Sequence, residues 1–165
     1  MSCECEYFGQ VGQNRVVAEA TFTPDLAAHT AGDVLSPAMT FPKATISTGC
    51  SGVIEEVTLF EKAVGAATQK GEMDLILYSG IPTLPVPNEA WTAPATATDI
   101  LAVIPIPAAS WKDLTSLLAT VTVRPEAPYS DLAAAASIYG ALVTRGTQDY
   151  AADAQITCRL RFRRD

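Results

Sequence analysis

Glu72 and Asp74 stand two positions apart at the start of an apolar run, and in an extended strand that spacing puts both carboxylates on one face. Paired carboxylates can hydrolyse glycosides and can also hold calcium. Two acids at the mouth of a strand are as readily a solvated rim, and the rest of the sequence favours that reading, as it does for the neighbouring pair Glu55 and Glu56. A Ser–His–Asp or Cys–His arrangement would have to use His29, the one histidine of the chain. His29 lies in the turn-forming stretch 26–32, and no nucleophile elbow accompanies it. It is expected to be a loop residue without catalytic duty. Glycine-rich phosphate loops and helical metal motifs are absent from the sequence. The four cysteines are Cys3, Cys5, Cys50 and Cys158. The first two are one residue too close for a CxxC redox or zinc motif, and all four are expected to be thiols in a reducing compartment. The chain is therefore read as a non-enzyme that uses no metal and no cofactor.

Charge narrows the partners. The chain has 165 residues, 18% of them charged, with a formal net charge of −7. Nucleic-acid affinity comes mainly from basic groups displacing counterions from phosphates, and an acidic chain lacks that term. Free nucleic acid and acidic membrane surfaces are accordingly excluded as partners. Basic residues cluster only at the end, as Arg159, Arg161, Arg163 and Arg164. The first ten residues have neither the basic nor the apolar region of a secretory signal. No apolar run approaches the roughly 20 residues of a membrane helix. The expectation is a protein made in a cytosol and leaving it only as a passenger.

The elements that must position these residues are strands. Residues 16–23, 53–62, 73–79, 100–106, 117–123, 137–144 and 156–163 read as strands from period-2 alternation or short apolar runs, with shorter ones at 34–35 and 44–47 and an edge segment at 38–41. Leu75 to Tyr78 run continuously apolar, as in a sheet covered on both sides. Residues 63–71 have the composition of a hairpin connection. Residues 108–114 and 131–136 suit single helical turns. In the last strand Ile156, Cys158, Leu160 and Phe162 share one face, while Thr157, Arg159, Arg161 and Arg163 share the other. About eight short strands and no long amphipathic helix make an all-β fold, a sandwich or barrel. An N-terminal arm over 1–14 precedes a single domain over 15–165.

Candidate contact residues follow from this layout. Tyr7 and Phe8 form an aromatic pair in the arm, packing on a neighbour or folding back. Trp91 sits in a Pro-rich loop over 80–98, either anchoring a partner or plugging its own loop onto the core. Trp111 is a further aromatic anchor candidate. The Arg159, Arg161, Arg163 face is either solvated or pressed against an acidic partner.

Several segments stand out in order: TPDLAAHTAGDVL (23–35), GCSGVIEEVTL (49–59), DLILYSG (74–80), ATDILAVIPIPAASWKDL (97–114) and the closing SIYGALVTRGTQDYAADAQITCRLRFRRD (137–165). This succession resembles a group of small virion proteins of tailed bacteriophages. The resemblance covers about four-fifths of the chain and lies in structural rather than chemical motifs. It implies a capsid decoration, or cement, protein: a jelly-roll β-sandwich on the outside of an expanded capsid, clamping neighbouring major capsid subunits as a homodimer or homotrimer. The chain departs from the pattern in its cysteine-bearing arm and its Pro-rich loop. Its place would be the capsid exterior of a virion, after synthesis in the host bacterial cytoplasm. The rival reading is a tail or fibre-base protein, or a host-glycan-binding sandwich with sugar held against Trp91.

Overall fold

The computed structural model describes residues 15–42, 51–64, 67–92, 99–130, 137–151 and 154–164. Within them the alternating segments form strands β1 (Arg15–Phe22), β2 (Met39–Pro42), β3 (Gly52–Lys62), β4 (Met73–Tyr78), β5 (Ile100–Ile106), β6 (Lys112–Thr115), β7 (Leu118–Val123), β8 (Ala127–Tyr129), β9 (Ser137–Thr144) and β10 (Gln155–Arg164). All pairings are antiparallel. One sheet runs β1-β10-β3-β7-β6, with β8 also on β3, and the other runs β2-β9-β4-β5. With the short β6 and β8 set aside, the first strand pairs the last, the second the seventh, the third the sixth and the fourth the fifth. This is one long antiparallel ribbon rolled into two sheets, the jelly roll.

The core lies between the sheets. Ile156, Cys158, Leu160 and Phe162 of β10 are each fully buried, joined by Ile54, Val57 and Leu59 of β3. Phe41, Leu75, Leu77, Ile106, Ile138 and Leu142 meet them from the second sheet. Each such side chain contributes roughly 1.5–3 kcal/mol of burial free energy. Every residue of β4 is buried. Leu75 and Leu77 belong to the main core, whereas Ile76 and Tyr78 form a second cluster with Ala141 and Val143. Leu84 and Trp91 of the Pro-rich loop pack on that second cluster, so the unbroken apolar run of β4 marks a sheet covered on both faces.

The Thr30–Asp33 turn is built by its own side chains. The Asp33 carboxylate accepts the Thr30 amide at 2.6 Å and the Thr30 hydroxyl at 2.9 Å. Gly32 sits at φ +97°, which glycine adopts without steric cost. Gly32 N–H donates to the Thr144 carbonyl and Thr144 N–H to the Asp33 carbonyl, locking the turn onto β9.

Four expectations change. Val34 makes an isolated bridge to Val143 and no strand, because its own N–H and C=O are bonded to Glu89 and Asn88 of the Pro-rich loop. Residues 63–71 are no hairpin, since β3 and β4 lie in different sheets. The helical turn at 108–114 is a 3-10 turn over Ala108–Ser110 only, after which β6 begins. Strands β6 and β8 were not anticipated. The expected strand at 44–47 and helical turn at 131–136 lie outside the described residues.

Candidate protein-contact surfaces

Strand β10 runs between β1 and β3, so its arginine face is the outer face of the larger sheet. The chain answers most of that charge itself. Arg159 donates Nε–H to Glu19 Oε1 at 2.6 Å, directly across the β1–β10 pair, and its guanidinium lies 4.9 Å over the Phe60 ring. Glu55 receives Arg15 at 3.1 Å and Arg163 at 3.6 Å, and Glu56 receives Arg124 at 3.4 Å. Thr21 bonds Thr157 and Thr58 bonds Thr122 across the strands. Exposed ion pairs of this kind stabilise by about 0–1 kcal/mol each. Their effect is to fix where charges point. An arginine ridge awaiting an acidic partner is thus replaced by a mixed-sign surface.

A double irregularity shapes the middle of that surface. Arg161 stands opposite Glu56 and Phe162 opposite Ile54, so Glu55 is the extra residue of a β-bulge. On the other side of β3, pairing ends at Val57–Val123 and resumes at Ile54–Ala127, leaving Arg124, Pro125 and Glu126 out of register. Glu126 takes φ +46° there. Both interruptions turn side chains outward, and Arg15, Arg124, Arg161, Glu55, Glu56 and Glu126 line a shallow depression of about 260 Å³. Among the described residues, Arg161 and Glu126 have no ion-pair partner. The depression offers hydrogen bonds and charge of both signs, and no nucleophile.

The aromatic candidates fall elsewhere. Trp91 is half-buried against the second cluster and donates its indole N–H to Tyr78 Oη at 3.0 Å. Burial raises the Tyr78 phenol's pKa against the pull of that hydrogen bond. Trp91 therefore plugs the loop onto the sheet. Trp111 is only 8% exposed, within the main core, and donates to the Gly71 carbonyl at 3.1 Å, which leaves little ring for a partner. Tyr7, Phe8, Cys3, Cys5 and Cys50 lie outside the described residues. Exposed apolar side chains among the described residues include Ile81 and Val86 in the Pro-rich loop, Val103 on β5, Leu114 and Leu117 around the β6–β7 turn, and Val17 on β1. Apolar residues alternating with prolines at 81–87 were the available signal for the loop pair.

The acids and the histidine serve structure. Asp74 is held by Arg145, whose Nε lies 2.7 Å from Oδ2, and makes no pair with the exposed Glu72. Glu61 is 1% exposed and accepts the amides of Gln69 and Lys70, the latter at 2.8 Å. Tyr150 donates to Gln148 Oε1 at 2.6 Å, and Gln148 Nε2 donates to the Glu72 carbonyl at 3.0 Å. Burial, followed by the Glu61 charge, raises the Tyr150 phenol's pKa. His29, expected as a loop residue, lies outside the strands but is fully buried, edge-on to Tyr150, and neither ring nitrogen has a hydrogen-bond partner. Its backbone bridge to Gln148 carries the ring inside. Cys158 is a free thiol whose burial pushes its pKa up, away from reactivity. Among the described residues no group of three or more His, Cys, Asp or Glu is placed to hold a metal ion, and no helix is long and apolar enough to cross a membrane.

No protein-family model and no curated protein matches the chain. Among solved structures, a chain of "Structure of infectious bursal disease virus Gt strain" is similar over 92% of this chain and 41% of that one, at 13% identity and a TM-score of 0.20. This chain thus spans well under half of that neighbour, and a likeness at that score carries no argument.

Proposed function

We propose that this chain is a virion structural protein that seats on the outside of an expanded tailed-phage capsid and clamps neighbouring major capsid subunits. The observation that supports it most is where the phage-like segments fall. The AGDV residues Ala31–Val34 form the Asp-locked turn on β9. DLILY is the doubly covered β4, and ILAVIPI is its partner β5. The closing segment holds β9 and β10, which each sit between two strands of their sheet. These shared segments, as far as they are described, build the sandwich itself, as suits proteins that have a scaffold in common.

A clamp needs a rigid body and surfaces for its neighbours. The two sheets supply the first, and the exposed apolar loop residues are candidates for the second. A protein that binds the assembled shell and not free subunits stabilises the shell by mass action, about 2.7 kcal/mol per site at a free concentration of 100 Kd. Trp91, turned onto its own sheet, is poorly placed for a glycan platform.

Co-sedimentation with capsids tests the reading. Saturable binding to expanded shells, absence of binding to unexpanded ones, and a gain in shell heat resistance are expected. Failure to bind either form would overturn it.

A further inference from the structure

We infer that the depression on the outer face of the larger sheet is the centre of a twofold contact with a second copy of this chain. It holds three arginines and three glutamates. A free anion entering it would meet Glu55, Glu56 and Glu126, and a cation would meet Arg15, Arg124 and Arg161. What fits is a surface that itself alternates both signs. Arg15 and Arg124 are spent on Glu55 and Glu56. The groups left over are one of each sign, Arg161 and Glu126, both exposed.

Their placement is self-complementary. Arg161 projects from β10 and Glu126 from the β7–β8 connection, on opposite sides of β3. They are separated by two strand spacings, roughly 10 Å. Rotating a second copy by 180° about an axis through the depression lays each Arg161 over the other copy's Glu126, which is the isologous arrangement of a twofold dimer. Exposed Val17, directly across the β1–β10 pair from Arg161, supplies apolar surface at the rim. The inference uses only this chain's charges. It stands apart from the virion reading, because its test contains no capsid.

Analytical ultracentrifugation of the full chain over a concentration series, with Arg161→Glu and Glu126→Arg, decides it. The expected result is a dimer for the wild-type chain. Each single reversal sets two like charges against each other twice and should weaken association by roughly tenfold to a hundredfold. An equimolar mixture of the two variants should regain dimers, since a heterodimer restores both opposite-charge contacts. The double variant should regain them alone. Unchanged circular dichroism and melting of each variant establish that folding is intact. A wild-type chain that stays monomeric or forms trimers overturns the inference. So do a dimer indifferent to both reversals and a mixture that stays monomeric.

Discussion

Glu61 and His29 are both buried polar residues, and they have opposite consequences. The Glu61 carboxylate fastens the 67–72 segment to the end of β3 through the amides of Gln69 and Lys70. Burial, the largest influence, raises its pKa from 4.5, against the lowering by those two amides and the Lys70 charge. The folded chain therefore holds this proton more tightly than the unfolded chain does. Glu61's contribution is fully present below about 4.5 and is lost as pH rises through the folded value. Since glutamine does not titrate, thermal melts of wild type and Glu61→Gln should show the wild-type advantage shrinking as pH rises from 4.5 upward. A difference that is flat or grows with pH would refute this. His29 fills space without hydrogen bonds. Changing it to Leu leaves no partner orphaned and should cost at most about 1.5 kcal/mol in urea unfolding. Gln148→Leu strands the Tyr150 hydroxyl and the Glu72 carbonyl and should cost about 1–3 kcal/mol. None of this was legible in the sequence, where His29 read as a loop residue and Glu61 as one acid among several. Burial of a polar group is decided by what crosses over it, and Gln148 lies far away along the chain.

At the scale of elements, long strands could be read and short ones could not. β1 and β10 each alternate over eight or more residues, enough for period 2 to stand out. β6 has four residues and β8 three, one of them Pro128, too few for a period. The bulge did leave a trace. The buried apolar residues of β3 step from Ile54 to Val57 and then to Leu59, and the step of three breaks the alternation where Glu55 is inserted. Which sheet a strand joins is not encoded in loop composition, and so the 63–71 connection resembled a hairpin. The two tryptophans were equivalent as sequence and differ as structure. Trp111→Ala removes a ring from the main core and should cost about 3–5 kcal/mol in urea unfolding, a large share of a domain's stability. Trp91→Ala removes a half-buried cover. It should leave the unfolding midpoint much closer to wild type while making the 80–98 loop a site of rapid limited proteolysis. Equal losses from the two changes would show that the loop belongs to the cooperative unit of the sandwich.

For the whole molecule, the division of charge from core predicts how salt acts. The chain carries a formal net charge of −7. The outer face of the larger sheet nevertheless sets Arg15, Arg124, Arg159, Arg161 and Arg163 against Glu19, Glu55, Glu56 and Glu126, so the acid excess lies on other surfaces. Inside, the two sheets meet through apolar side chains and the fully buried Cys158. Salt shortens the reach of exposed charges, from about 8 Å at 0.15 M to about 3 Å at 1 M, and leaves apolar burial in place. Two responses should therefore separate. In a dilute sample of Arg161→Glu, held monomeric, the melting temperature should move by only a few degrees across that salt range, because each exposed ion pair contributes at most about 1 kcal/mol. Association of the wild-type chain should fall steeply over the same range, because its contacts are the charges that salt screens. Sedimentation and melting measured on the same salt series provide the check. Loss of association without loss of fold places the sandwich's stability in its core and its self-recognition on the β10 face. A dimer that tightens with salt would place the contact on apolar surface instead, with Ile81, Val86 and Val103 the first residues to change.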